Sequence, residues 1–188
     1  MDPITLLIIL NAIIFALPFL IPFGGPYTSF LNFQLLGIMN KGDVKDGEWY
    51  RLFTSNFLHA DVTHLLVNMY SLYNVGGPVL SIFRPFGFAL IYIVSGIFGS
   101  LCSFWFNNDS MSRGSLGASG AIMGLLGALL AYAVIANEPK LLSTILINVA
   151  IIGLYGFLLP QIDNWGHIGG FVSGIVIGFG LLYFRTVA

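Results

Sequence analysis

Long apolar runs separated by short polar segments dominate the hydropathy pattern of this chain. Each run is close to the roughly 20 apolar residues that a helix needs to cross the hydrocarbon core of a bilayer. The pattern therefore predicts an all-α fold, a polytopic membrane bundle of six transmembrane helices. The predicted spans cover residues 4–23, 64–83, 86–106, 119–136, 141–159 and 166–184.

The composition points to lipid as the main solvent. Of the 188 residues, 57% are hydrophobic and 8% are charged, whereas a soluble domain carries about 25% charged residues. The length favours a single membrane domain over residues 1–188, with no soluble domain before or after it. We expect the first span to be retained, because Asp2 rather than a basic region precedes it. The formal net charge of −1 gives no electrostatic case for a nucleic acid partner.

The connection between the first two spans, residues 24–61, is both charged and aromatic. Such a segment is typical of a folded loop that lies in the headgroup region. We expect a structured, membrane-embedded loop here, with Trp49 and Tyr50 as anchors. Arg51 would extend toward the interface or pair with an acidic residue.

Small residues recur every four positions in the fourth and sixth spans. Such stripes let two helix backbones approach closely in lipid, and close packing alone explains them. The stripes bear on the positions of two polar residues, because Ser119 lies beside one stripe and His167 lies beside the other. Packing along these faces would bring the two side chains together. The stripes consist of Gly120, Gly124 and Ala128, and of Gly166, Gly170, Gly174 and Gly178.

Polar side chains within the spans are few, and such residues are usually functional. No Asp, Glu or Lys falls deep in a predicted span, which argues against two-carboxylate hydrolysis and against an ion-coupled transporter. No His-Glu-x-x-His motif is present, and Cys102 is the single cysteine, so we expect neither a metal nor a cofactor. The residues that stand out are His64, Asn68, Ser119 and His167.

Ser119 and His167 form the remaining catalytic possibility. A serine hydroxyl is a poor nucleophile until a base accepts its proton, and a neutral imidazole is the usual base near pH 7. Burial disfavours the charged imidazole and so keeps this base available. No third acid is evident, so a dyad is favoured over a triad. Taken singly, Ser119 is also typical of helix packing and His167 of a polar cap.

His64 and Asn68 are four residues apart and share one helix face. Acyl transfer needs hydrogen-bond donors directed at the developing oxyanion. These two side chains, with the backbone N–H of Ser119, would supply such donors. An interhelical hydrogen-bond pair is the equal alternative. For Asp61 and Asp163, the pattern predicts solvated or interfacial charges.

Together these residues resemble the rhomboid family of intramembrane serine proteases. The resemblance covers nearly the whole chain as a minimal six-span core, and the order and spacing of its motifs make it specific. Where many members carry an aromatic residue one turn after the serine, this sequence has Met123. The matching segments are 48–60 (EWYRLFTSNFLHA), 64–69 (HLLVNM), 117–121 (GASGA) and 166–170 (GHIGG).

The resemblance implies that Ser119 is the nucleophile and His167 the general base. It implies that His64 and Asn68 line the oxyanion hole beside the Ser119 backbone. It also suggests that residues 160–165 form a movable cap over the site. The implied substrates are transmembrane proteins, cut in or near a membrane helix. A catalytically silent relative that binds membrane clients and a small channel or transporter are the competing interpretations.

The orientation is predicted from the positive charges in short connections. Arg84, Lys140 and Arg185 lie on the side of the termini. Because lysine and arginine in short loops favour the cytoplasmic side, we place both termini in the cytoplasm. The expected location is a bacterial-type plasma (inner) membrane.

Overall fold

The computed structural model describes residues 1–20, 29–107, 114–159 and 162–187. Within these ranges the chain is helical and contains no β-strand; Met39 and Ser115 form an isolated antiparallel bridge. A short 3-10 helix, Ser55–Phe57, follows α4. The α-helices are α1 Pro3–Leu20, α2 Ser29–Leu36, α3 Lys41–Lys45, α4 Arg51–Thr54, α5 Val62–Phe106, α6 Ser119–Ile135, α7 Pro139–Leu158 and α8 Asn164–Val187.

Several of these helices are suited to a membrane. Among the described residues, three are long and apolar enough to cross a bilayer: Val62–Phe106, Pro139–Leu158 and Asn164–Phe184. The apolar parts of α1 and α6, Pro3–Leu17 and Ser119–Ile135, are shorter. The predicted all-helical, apolar character is thus confirmed for the described part of the chain. The count of six spans stays a prediction.

Helix α5 contains the second and third predicted spans and breaks between them. Arg84 has φ 64° and ψ 171°, which is not helical, and Pro85 disfavours the helical conformation for the residue before it. A methyl group added to Gly76 would lie 3.4 Å from the Phe88 ring, although a straight helix would separate these positions by about 18 Å. The arms 62–83 and 85–106 therefore fold back on each other, with the reversal in the gap between the predicted spans 64–83 and 86–106.

Helix ends differ from the predicted span ends by a few residues where polar residues extend the helix. Helix α7 begins at Pro139, a residue favoured in the first helical position because its missing N–H has no intrahelical partner there. Asn137 has φ 52° just after α6, as is common in the residue that follows a helix. A hydropathy pattern does not detect these helix ends, because it shows where apolar residues end rather than where the backbone hydrogen bonds of the helix end.

Helix α6 is the centre of the bundle and packs mainly against α8 and α5. A methyl group on Gly170 or Gly174 of α8 would overlap the carbonyl groups of Gly120 and Gly124 of α6. The two backbones therefore approach as closely as the small-residue stripes predict. Helix α7, in contrast, buries only Ile145 and Gly156. Most of its surface is therefore left to face lipid.

The described part of the first connection, residues 29–61, folds around a buried arginine. The Arg51 side chain pairs with Glu48 at 2.6 Å and with Asp43 at 3.3 Å. Its Nη1 also donates to the carbonyls of Gln34 and Ile38 at 2.9 and 3.0 Å. Two carboxylates and two carbonyls thus compensate this buried charge. Residues 21–28 lie outside the described residues, and the embedding of the connection in the membrane stays a prediction.

Candidate active site

Ser119 is the first residue of α6, and a tight segment before it sets its position. Gly117 has φ +122°, a conformation that favours glycine. Its N–H donates to the carbonyl of Ser55 at 2.9 Å. Two residues earlier, Ser115 exchanges backbone hydrogen bonds with Met39 at 2.7 and 3.1 Å. The start of α6 is therefore attached to the folded connection on both sides of residue 116.

His167 lies in the first turn of α8, and its ring reaches Ser119. The distance from His167 Nε2 to Ser119 Oγ is 2.8 Å, which is a hydrogen bond. If the serine donates, Nε2 is unprotonated and the neutral ring carries its proton on Nδ1. Nδ1 is buried and has no partner among the described residues. The structure therefore pairs the two side chains singled out in the sequence, and no acidic side chain of the described residues hydrogen-bonds to the imidazole.

Glycines let three helical segments meet at this pair. A methyl group on Gly99, in the second arm of α5, would lie 2.7 Å from the carbonyl oxygen of Gly166. A methyl group on Gly120 of α6 would lie 3.4 Å from the same oxygen. The beginning of α8 thus lies against both helices, one residue before His167. This close approach is why two residues 48 positions apart in the chain can form a hydrogen bond.

His64 and Asn68 occupy one face of the first arm of α5 and approach Gly117. A Cβ atom on Gly117 would lie 2.8 Å from His64 Nε2 and 3.6 Å from Asn68 Nδ2. Asn68 is only 5% exposed, and its amide nitrogen has no partner among the described residues. Both side chains therefore lie beside the segment that leads into Ser119. Their roles stay predictions.

His59 was not proposed as a site residue from the sequence, yet it adjoins this group. Its ring is 1% exposed and lies 5.1 Å from the His64 ring, centroid to centroid. Burial, assisted by the neighbouring His64, lowers the pKa of His59 to about 4. The ring is therefore neutral at pH 7. Its place in the segment 48–60, which carries the family resemblance, was the available sequence signal.

The two aspartates expected to be solvated or interfacial charges each cap the beginning of a helix; Asp61 is exposed and Asp163 is half-buried. Asp61 accepts the backbone N–H of His64 at 2.8 Å and caps α5. Asp163 accepts the N–H of Gly166 at 2.9 Å and the amide of Asn107 at 3.0 Å. Its carboxylate also accepts the hydroxyls of Ser103 and Ser115. An aspartate placed just before an apolar helical run is a cap signal that sequence reasoning could have used.

Two further expectations concern the surroundings of His167. Met123 lies one turn after Ser119 and is buried in α6, with 6% exposure. Of the expected cap over the site, residues 160 and 161 lie outside the described residues; residues 162 and 163 precede α8, and Asn164 and Trp165 are its first two residues.

Among the residues that the structure describes, no three His, Cys, Asp or Glu side chains are grouped to hold a metal ion.

Fold and site together define a class: a helical membrane protein that holds a serine hydroxyl and an imidazole in contact at the meeting point of its helices. The family model for the Rhomboid domain matches residues 46–184. This chain belongs to the rhomboid family and is an integral membrane protein.

Curated relatives agree with this assignment. The chain is 39% identical over 160 residues to Rhomboid protease GluP of Bacillus subtilis (strain 168), an alignment that covers 83% of this chain and 31% of GluP. It is 39% identical over 171 residues to RHOMBOID-like protein 4 of Arabidopsis thaliana, covering 86% and 41%. It is 38% identical over 171 residues to Inactive RHOMBOID-like protein 8 of the same plant, covering 86% and 46%. The chain thus spans less than half the length of each of these relatives.

Proposed function

We propose that this protein is an intramembrane serine protease in which Ser119 is the nucleophile and His167 the general base. The observation that carries the proposal is the 2.8 Å hydrogen bond between His167 Nε2 and Ser119 Oγ. Membership of a family that includes a relative named as a protease supports the same conclusion. The dyad requires no metal and no cofactor.

The chemistry is acyl transfer in two steps. Ser119 Oγ attacks the scissile carbonyl carbon while His167 Nε2 accepts the hydroxyl proton. The imidazolium then donates this proton to the departing amine, the C–N bond breaks, and an acyl ester remains on Ser119. In the second step His167 removes a proton from water, whose oxygen attacks the ester. The proton returns to Ser119 Oγ as the carboxylic acid leaves.

The tetrahedral intermediate of each step places a negative charge on the former carbonyl oxygen, which needs nearby donors. We assign this role to the Asn68 amide, the His64 ring and the backbone N–H of Ser119. The first four N–H groups of a helix lack intrahelical partners, and Ser119 begins α6. The positive end of the α6 dipole adds to the stabilisation of an anion at this point.

The substrates would be transmembrane segments of other membrane proteins. A membrane helix satisfies its carbonyl groups internally, so the segment must unwind locally before Ser119 can reach a carbonyl carbon. Helix-breaking residues near the cleavage site should therefore favour cleavage. The site adjoins the loops before α5, α6 and α8, which is where water and an unwound segment can enter.

The test is cleavage of a transmembrane reporter substrate by purified protein in liposomes. Ser119→Ala and His167→Ala should each reduce cleavage by at least about 10³-fold, as removal of a nucleophile or its base does in other serine enzymes. A fluorophosphonate probe should label the wild-type protein and not Ser119→Ala. Ser173→Ala is the matched control, because Ser173 is a buried serine whose hydroxyl bonds to the carbonyl of Gly170 within α8.

The similarity to Inactive RHOMBOID-like protein 8 makes a catalytically silent binding protein the second candidate. The same experiment separates the two functions. Full cleavage by Ser119→Ala would remove the proposed mechanism. A folded wild-type protein that captures membrane clients, yet neither cleaves them nor reacts with the probe, would establish the binding function instead.

A further inference from the structure

We propose that Asp163 is a positioning residue that sets the geometry of the Ser119–His167 pair; this inference rests on the proposed function. Within the described chain, the Asp163 carboxylate forms no hydrogen bond to either reacting side chain. It instead holds together the segments that carry them. Loss of its carboxylate should therefore slow the reaction at Ser119 more than it weakens substrate binding.

The carboxylate of Asp163 connects three parts of the chain that are distant in sequence. Its Oδ1 accepts from the backbone N–H of Gly166 at 2.9 Å and from Asn107 Nδ2 at 3.0 Å. Its Oδ2 accepts from the hydroxyls of Ser103 and Ser115. These donors belong to the beginning of α8, the end of α5 and the segment just before α6.

The positions of these donors relate the carboxylate to the reacting groups. Gly166 immediately precedes His167, and the His167 N–H donates to the Asp163 carbonyl at 3.1 Å. Ser115 lies four residues before Ser119, in the segment that also pairs with Met39. One oxygen of the carboxylate therefore binds at the helix that carries the base, and the other binds beside the nucleophile. The fully buried Ser103 of α5 completes the link.

A carboxylate suits this position for a chemical reason. All four partners donate hydrogen bonds, and an ionised carboxylate accepts at both oxygens without offering a donor. Hydrogen bonds to an ionised acceptor are also stronger than those between neutral groups. An asparagine would present an NH2 group to at least two of these donors. Asp163→Asn keeps the size of the side chain and removes this match.

The expected consequence follows from the sensitivity of catalysis to geometry. A displacement of about 1 Å between reacting groups reduces a rate by as much as about 100-fold. We therefore expect Asp163→Asn to lower kcat between about 10-fold and 100-fold. KM should change less than about twofold, because an interaction that acts on the chemical step alone leaves ground-state binding intact. The rate of fluorophosphonate labelling at Ser119 should fall together with kcat.

The matched control is Asp2→Asn. Asp2 caps α1 by accepting the N–H groups of Ile4 and Thr5, both at 3.0 Å. It thus has the same capping role as Asp163 but links no other segment of the described chain to its helix. Asp2→Asn should leave kcat and the labelling rate unchanged. A general effect of losing a helix-capping charge would instead appear in both variants.

Ser115→Ala provides a milder test, since it removes one hydroxyl and leaves the cap of α8 in place. It should lower kcat by only about a few-fold, less than Asp163→Asn does, because it removes one of the four hydrogen bonds to the carboxylate and keeps the other three. In the Asp163→Asn background the same substitution should have little further effect, because both changes remove the same contact. Additive losses would show that Ser115 acts independently of Asp163.

The outcomes separate this inference from the proposed function. Wild-type kcat in a folded Asp163→Asn protein, or a change confined to KM, would overturn the positioning role. If Asp163→Asn does not fold, Ser115→Ala decides: a lower kcat at unchanged thermal stability supports the inference, and an unchanged kcat overturns it. Failure of the proposed function would appear earlier, as a wild-type protein that neither cleaves the reporter nor reacts with the probe.

Discussion

At the scale of the residue, Asn68 holds a buried amide donor that has no partner within the described chain. Leaving such a donor unpaired costs about 1–3 kcal/mol, so its presence calls for a reason. The amide lies beside Gly117, two residues before Ser119. A developing oxyanion at Ser119 would supply the missing acceptor. If the proposed function holds, this unpaired donor would be available to the transition state.

Replacement of Asn68 tests this explanation. Asn68→Ala should lower kcat by about 10²-fold to 10³-fold with little change in KM, as loss of an oxyanion donor does in other enzymes. Steady-state cleavage of the transmembrane reporter is the measurement. Asn74→Ala is the control on the same arm of α5, since Asn74 is exposed and its amide donates to the Tyr70 carbonyl at 2.7 Å. Equal losses in both variants would show that Asn68 acts in helix packing.

At the scale of the element, the pairing of α6 with α8 determines whether the site exists. The two helices approach along glycine stripes, so that the Gly174 Cα lies against the backbone of Gly124. In lipid, such close packing replaces the hydrophobic driving force that acts between helices in water. The same contact places His167 within hydrogen-bond distance of Ser119. Stability and the proposed catalysis would therefore depend on one interface.

Two glycines of α8 allow a matched measurement of this interface. Gly174→Ala should reduce the free energy of unfolding by roughly 1–3 kcal/mol, because the added methyl group overlaps the α6 backbone. Gly180→Ala should be neutral or stabilising by up to about 1 kcal/mol, since nothing lies within 4 Å of its position and alanine favours the helix. Unfolding in mixed detergent micelles gives both values. Equal effects would contradict the close-packing explanation.

At the scale of the whole molecule, charge distribution predicts the orientation. Arg84 and Lys140 lie in short connections, where positive residues favour the cytoplasmic side. The acidic and basic residues between α1 and α5 fall on the opposite face in a six-span arrangement. We therefore expect the termini in the cytoplasm and the active-site loops on the outer face.

Cysteine labelling on intact cells measures this orientation. In a Cys102→Ser background, Asp46→Cys should react with a membrane-impermeant maleimide added outside. Glu138→Cys should react only after permeabilisation. Both positions are exposed, so accessibility to the reagent depends on the side of the membrane. The reverse pattern would contradict the predicted orientation, and labelling of both from outside would contradict an odd number of crossings between them.

Most of the helices were predictable because hydropathy indicates whether a segment of the chain favours lipid or water. Apolar runs of about 20 residues predict membrane helices, and α6 Ser119–Ile135 and α7 Pro139–Leu158 begin within a few residues of the predicted starts. The reversal at Arg84 also falls between the predicted spans 64–83 and 86–106. Helix ends were less predictable from hydropathy, since Asp61 and Asp163 each cap a helix by accepting one backbone N–H, and a hydropathy window does not detect such a bond.

The candidate pair was predictable for a related reason. A polar side chain in an apolar run is rare, and Ser119 and His167 stand out from their neighbours for this reason. The hydrogen-bond network of Asp163 was not predictable. Two of its partners, Ser103 and Ser115, lie 60 and 48 positions away, and each is an unremarkable serine in the linear sequence.

By itself, the sequence determined that this chain is a helical membrane protein, and it determined which side chains are able to perform acid–base chemistry. These are local properties, because the transfer free energy of each residue depends on its own atoms. Only the tertiary structure decided that the imidazole reaches the hydroxyl, that Asn68 lies beside Gly117, and that Asp163 binds three segments together. Such distances follow from how closely glycine-lined helices pack, and that depends on the whole bundle at once.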